Sequence, residues 1–170
     1  MTTPVIAYLA LGSNLGDPVE QLVQARAAIN AIPGVAIVRA SSLYKSPVWG
    51  SDEPQPEYLN AVIAIQTTLS AHDLWHQSSR IEATHGRVRD GTRNGARTLD
   101  IDLLLFGDTV INTPDLTLPH PRMHQRDFVL MPLVEIEPEV VIPEHGSARD
   151  CLKQVAPANI SKLSHNASWN

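Results

Sequence analysis

Residues 99–106 read Leu-Asp-Ile-Asp-Leu-Leu-Leu-Phe, six apolar side chains broken twice by aspartate. A run this short and apolar predicts a buried strand. Strand side chains alternate, so Asp100 and Asp102 share one face while Leu99, Ile101 and Leu103 turn to the other, into a core. Two adjacent carboxylates repel and resist joint ionisation. A strand carrying them needs a compensating charge, and a hard divalent cation supplies it. Mg²⁺ suits one or two carboxylates, with water and phosphate oxygens completing its shell. A solvent-exposed strand end with two ordinary aspartates is the competing reading, and for a bare D-x-D it is the commoner one.

The chain that leads into this strand favours the metal. Five of the ten arginines lie between 80 and 97, a window whose only acids are Glu82 and Asp90, although the net charge is −5. Arginine's planar fork grips phosphate oxygens bidentately. Phosphoryl transfer is mostly positioning and charge neutralisation, which such cations supply. Gly86, Gly91 and Gly95 predict a loop that closes as a lid. Arg87, Arg89, Arg93 and Arg97 with the aspartate pair therefore point to a metal–phosphate site. A solvated charged loop and a nucleic-acid contact are the alternatives. The loop has no aromatic to stack a base, and the acidic balance disfavours a nucleic-acid-coated surface.

Around this segment the elements order themselves. Val5–Leu11 is a strand. Asp17-Pro18-Val19-Glu20 carries an N-cap, a first-turn proline and a capping box, and Pro33-Gly34 stops the helix they open. Val35–Ser46 and Tyr58–Thr68 are strands. Ser70 with Asp73 opens a second helix whose Leu74, Ser78, Ile81 and His85 share a face. The order β-α-β-β-α-β predicts an α+β, ferredoxin-like antiparallel sheet with both helices on one face. C-terminal additions follow: a short strand at 110–111, a helix over Arg122–Met131 ended by Pro132, and a late helix near 148–155. One domain over 1–160 is expected, with 161–170 as a loose tail. The single cysteine, Cys151, excludes an internal disulfide framework and suits a reducing compartment. No charged leader precedes the first apolar run, and no apolar stretch approaches the roughly 20 residues of a membrane span. A cytoplasmic protein is expected, monomeric, with a homodimer left open.

Other motifs read more plainly. Gly12-Ser13-Asn14-Leu15-Gly16 lacks the P-loop ending and reads as a tight strand-to-helix turn. His72 and His76 lie four apart without the glutamate of a zinc motif, so they read as solvent-facing. His120, in Leu118-Pro119-His120-Pro121-Arg122, sits in a rigid loop within reach of a phosphate, although an ordinary loop histidine is the commoner case. Tyr58 and Phe128 read as core packing.

Taken together, these residues resemble the 6-hydroxymethyl-7,8-dihydropterin pyrophosphokinase family, over about Val5 to Pro143. Arg97-Thr98-Leu99-Asp100-Ile101-Asp102 looks like its R-T-L-D-[IL]-D signature. Leu11–Gly16, Tyr58-Leu59-Asn60, Arg80-Ile81-Glu82, Gly86–Arg89, Leu118–Pro121 and Arg126–Val129 follow its order and spacing. The resemblance implies pyrophosphate transfer from ATP to the pterin alcohol, with AMP released, and a ferredoxin-like fold. It implies that Asp100 and Asp102 hold two Mg²⁺ ions, with Arg87 and Arg97 joining them in catalysis. Glu82, Arg87, Arg89, Arg97, Leu103, Thr117, His120 and Arg126 would bind ATP. Ser46, Pro47, Trp49, Tyr58, Asn60, Asp100 and Phe128 would bind the pterin, with Tyr58 and Phe128 sandwiching its ring. The chain departs from the commonest bacterial pattern at Trp49, Asp90, Asn94, Asp115 and Pro121. A nucleotidyltransferase also uses Gly-Ser and D-x-D, but with the two close together, whereas Ser13 lies far upstream of Asp100. An RNA-binding sheet would need exposed aromatics and a basic face.

Overall fold

The computed structural model describes residues 3–14, 17–46, 58–85, 99–155, 160–163 and Trp169. Strand β1 (Val5–Ser13) leads to helix α1 (Pro18–Asn30), then β2 (Val35–Ala40), β3 (Tyr44–Ser46), β4 (Tyr58–Thr67), α2 (Ala71–His85) and β5 (Asp100–Phe106). A hairpin of β6 (Ile111–Asn112) and β7 (Thr117–Leu118) follows. A 3₁₀ turn at Met123–Gln125 precedes α3 (Asp127–Ile136), a second hairpin of β8 (Val141–Ile142) and β9 (Gly146–Ser147), α4 (Ala148–Gln154) and β10 (Ser161–Lys162).

Local chemistry starts the helices. The Asp17 side chain accepts the Glu20 backbone N–H at 3.2 Å, and Pro18 occupies the first turn of α1. The reciprocal arm of the expected capping box is not made by Glu20, whose carboxylate instead accepts the Gln24 amide at 3.0 Å. Ser70 accepts the Asp73 N–H at the start of α2. The strand expected over Val35–Ser46 is two strands. At the break, the Ser41 hydroxyl accepts the Val62 N–H and donates to the Ser42 carbonyl, so a side chain replaces a ladder bond.

The sheet runs β10-β3-β4-β1-β5, with β2 also paired to β4, and each of these pairs is antiparallel. Its two faces bury different partners. Leu9, Leu11, Ile63, Ile65, Ile101 and Leu103 pack with Leu22, Ala25 and Ile29 of α1 and Leu74 of α2. Tyr8, Val62, Ala64 and Leu104 pack with Leu130, Leu133 and Ile136 of α3 and Ala148 and Cys151 of α4. The molecule is thus a mixed α/β sandwich, its antiparallel sheet covered by helices on both faces.

Two expectations change at the C-terminal side. The helix expected over Arg122–Met131 is a 3₁₀ turn followed by α3, which runs through Pro132 to Ile136. Proline removes one helical hydrogen bond. The burial of Leu130, Leu133 and Ile136 against the sheet outweighs that loss. The tail expected to be loose is packed where it is described. Ser161–Lys162 pairs with β3, and Trp169, 2% exposed, donates its indole N–H to the Ser41 carbonyl at 2.7 Å. Among the described residues no helix is long and apolar enough to cross a membrane.

Candidate active site

The alternation of β5 sends Ile101 and Leu103 into the core under α1 and α2, so Asp100 and Asp102 face the α3 side, both half-buried. Register then sets their neighbours. Gly12 of β1 lies opposite Asp100 on one flank and opposite Asn60 on the other, and Asn60 lies opposite Tyr44. Ala10 likewise lies between Val62 and Asp102. The residues of β1 that abut the carboxylate pair are thus glycine and alanine, which leave room above the sheet.

The β4 side of this row is polar and buried. The Asn60 amide donates to the Ser46 hydroxyl at 2.7 Å, which leaves the Asn60 carbonyl oxygen turned towards Gly12. Tyr58 lies opposite Ser46 and at the start of β4, half-buried. Ser46, Tyr58, Asn60 and Asp100, four of the residues expected to meet the pterin, therefore lie on β3, β4 and β5, with β1 between the last two.

A bulge builds the other side. The β1–β5 register passes from Leu9 opposite Leu103 to Tyr8 opposite Leu105, so Leu104 is the additional residue. Its carbonyl accepts the His120 backbone N–H at 2.9 Å, which anchors the 119–122 segment beside the outer edge of β5. The Leu118–Pro119 bond in this segment is cis. His120 Nδ1 accepts the Arg122 backbone N–H at 3.1 Å. A neutral imidazole with Nδ1 accepting carries its proton on Nε2. Burial holds the His120 pKa below its ordinary value; the Asp102 charge opposes this, and Arg126 and Arg122 add to it. His120 is therefore a neutral Nε2–H donor beside Asp102. Arg126 lies over the Phe128 ring at 5.6 Å, joining a residue assigned to phosphate with one assigned to the pterin.

Glu82 braces the same edge from α2. Its carboxylate accepts the Ile101 backbone N–H, between the two aspartates, at 2.8 Å. Thr117 is exposed on β7. Its hairpin is held by Thr113, whose hydroxyl donates to Asp115 at 2.8 Å, and by an Asp115–His72 contact at 3.6 Å, so His72 is not simply solvent-facing. Leu103 is not brought to this face: it is 5% exposed and packs in the core under α1 and α2, because it shares the parity of Ile101. Pro47, Trp49, Arg87, Arg89 and Arg97 lie outside the described residues.

Gly12 is the position that motif reading passed over, as part of a turn; it lies within β1. The available signal was a glycine next to a strongly apolar strand, where it weakens pairing and often marks close approach by a ligand. Among the described residues no group of three or more His, Cys, Asp or Glu side chains is placed to hold a metal. Two carboxylates on one face beside small residues do fit Mg²⁺, which takes its remaining ligands from water and phosphate.

Paired carboxylates, a neutral imidazole donor beside one of them and a buried amide in the same row of the sheet form a polar cluster of the kind that handles phosphate groups. The family model for 7,8-dihydro-6-hydroxymethylpterin-pyrophosphokinase matches residues 8–138. The chain is 45% identical to the 2-amino-4-hydroxy-6-hydroxymethyldihydropteridine pyrophosphokinase of Haemophilus influenzae, over 94% of this chain and 98% of that one. It is 41% identical to that of Methylorubrum extorquens, over 92% and 98%. In fold it resembles the HPPK-DHPS chain of Plasmodium falciparum, with a TM-score of 0.71 at 15% identity; 90% of this chain matches 44% of that longer one. The chain belongs to the 7,8-dihydro-6-hydroxymethylpterin-pyrophosphokinase family. Its reaction is pyrophosphate transfer to the hydroxymethyldihydropterin, in folate biosynthesis.

Proposed function

We propose that the pyrophosphate comes from Mg²⁺-ATP bound over Asp100 and Asp102, and that the pterin alcohol lies beside it between Tyr58, Asn60 and Phe128. The observation that carries this is the row Asn60–Gly12–Asp100 across three strands. Two strand spacings put the acceptor-reading amide about 10 Å from the carboxylate, with no side chain between them. That gap suits a flat ring whose hydroxymethyl arm points at the metal-held phosphates.

In this reading the pterin oxygen bonds to the β-phosphorus and gives up its hydroxyl proton to solvent as the bond from that phosphorus to the α,β-bridging oxygen breaks, and AMP leaves with that oxygen. Bound Mg²⁺ would supply charge neutralisation for the triphosphate. Asp100 and Asp102 would hold two such ions. His120 would donate Nε2–H to a phosphate oxygen, and Arg126 would add a charge-assisted contact. Arg87, Arg89 and Arg97 would close over the phosphates. Glu82 and Thr117 would border the nucleoside, and Ser46 holds the Asn60 amide in place for the ring edge, alongside Pro47 and Trp49. No side chain is assigned as general base, since orientation and charge carry most of a loose transition state. The finer reading of the fold, a ferredoxin-like core, is supported by the order β5-β1-β4 with β2 on the far flank of β4. We also read the protein as a cytoplasmic monomer formed by one domain.

Incubation with ATP, Mg²⁺ and 6-hydroxymethyl-7,8-dihydropterin should yield AMP and pterin pyrophosphate. Formation of ADP, release of pyrophosphate or absence of turnover would overturn the reading. Omission of Mg²⁺ should abolish product.

A further inference from the structure

Gly12 sits inside a nine-residue strand, with a full set of partners on both flanks. Its φ is not in the left-handed region, so the backbone there does not require glycine. Glycine inside a strand weakens it and leaves no side chain to pack. The space is what remains to explain. A Cβ at Gly12 would lie 3.4 Å from Asn60 Oδ1, 3.7 Å from Tyr58 Cδ1 and 3.8 Å from the Leu59 carbonyl. All three are ordinary van der Waals distances, so an alanine would fit the protein. It would also stand beside the Asn60 oxygen, on the path from that oxygen to Asp100.

We propose that Gly12 is a specificity-determining residue, the bare floor on which the acceptor ring rests between Asn60 and Asp100. This deepens the function proposed above and rests on it. The Asn60 amide, one N–H bonded to Ser46, turns its carbonyl oxygen towards Gly12, where it selects a donor edge on the ring. Any side chain at Gly12 lifts the ring away from that oxygen. The nucleotide, held over the carboxylates and by His120, does not depend on that floor.

The two roles of a strand glycine predict opposite signs for one substitution. Gly12→Ala and Gly12→Ser are compared with the wild type by thermal melting, by titration with a non-hydrolysable ATP analogue in Mg²⁺, and by titration of the pterin alcohol into analogue-saturated protein. Gly12→Ala should melt at the wild-type temperature or roughly 1–3 °C higher, since it removes unfolded-state freedom at a compatible site. It should bind the ATP analogue within about twofold of wild type and lose about tenfold or more in pterin affinity, the effect of a misplaced methyl group in a fitted site. In turnover, KM for the pterin should rise while KM for ATP holds, and Gly12→Ser should repeat the pattern. Unchanged pterin affinity in both variants would overturn the proposal, as would an equal loss of both ligands or a large drop in melting temperature. Failure of the wild type itself to bind the pterin would instead overturn the proposed function.

Discussion

Asp100 and Asp102 are bordered on β1 by Gly12 and Ala10, so nothing from that strand neutralises them. Replacing either with alanine should lower AMP release by at least about 10²-fold, the scale of losing a major electrostatic element. Both variants should retain the fold, seen as a cooperative thermal transition. Wild-type turnover in either would remove the proposed metal role. His120 offers a finer test. Its Nδ1 is occupied by the Arg122 N–H, so only Nε2 is available to the nucleotide. Glutamine places an amide N–H near Nε2, whereas asparagine mimics only the Nδ1 end. His120→Asn should raise KM for ATP by about 10-fold or more, the value of a hydrogen bond to a charged group, and His120→Gln should raise it less. The two variants behaving alike would refute this tautomer. The aspartate pair was legible in the sequence because alternation is a property of the local backbone. The His120 tautomer was not, because it depends on a hydrogen bond within a loop whose path the β5 bulge sets.

Helix α3 carries Phe128 at its start and Glu135 near its end, where the carboxylate ties the helix to the chain around β3. Glu135 accepts the Ser42 N–H at 3.0 Å, the Ser42 hydroxyl at 2.7 Å and the Tyr44 hydroxyl at 2.8 Å, with Lys162 at 3.5 Å. Burial opposes ionisation of Glu135. The Ser42 and Tyr44 hydrogen bonds and the Lys162 charge prevail and hold its pKa below the ordinary value. The Tyr44 hydroxyl is shifted upward, first by burial and then by Glu135. A carboxyl depressed in the folded state contributes stability above its unfolded pKa, and that contribution is lost as pH falls through the folded value. Glu135→Ala should therefore cost about 1–2 kcal/mol at pH 7, read from urea midpoints. The difference from wild type should shrink steadily below about pH 4. A pH-independent difference would show that packing, not the carboxylate, anchors the helix. A helix reaching Met131 was readable from the chain alone; its continuation to Ile136 and its anchor were not. Pro132 marks a helix end by local rules, and only the apolar face of Leu130, Leu133 and Ile136 against the sheet carries the helix past it.

The last described residue closes the molecule. Trp169 is buried against the core under α1, its carbonyl accepts Arg26 at 2.7 Å, and the Arg26 guanidinium lies 4.9 Å from the centre of its ring. Trp169→Ala should destabilise the protein by about 3 kcal/mol, the cost of emptying a buried tryptophan site, seen as a lower denaturant midpoint at unchanged slope. A midpoint equal to wild type would mean that the tail contributes no packing. Polar composition in the final residues predicted looseness, because composition is silent on where one aromatic ring lands. The sequence by itself determined the strand that bears Asp100 and Asp102, the capped starts of α1 and α2, and, through ordered motifs, the family. These follow from periods of two and 3.6 residues and from side chains that bond within a turn of themselves. Only the tertiary structure decided that Gly12 lies between Asn60 and Asp100, that a bulge brings His120 beside Asp102, and that helices cover both faces of the sheet. Those outcomes depend on register between strands distant in the chain, which is set by which apolar faces can be buried together.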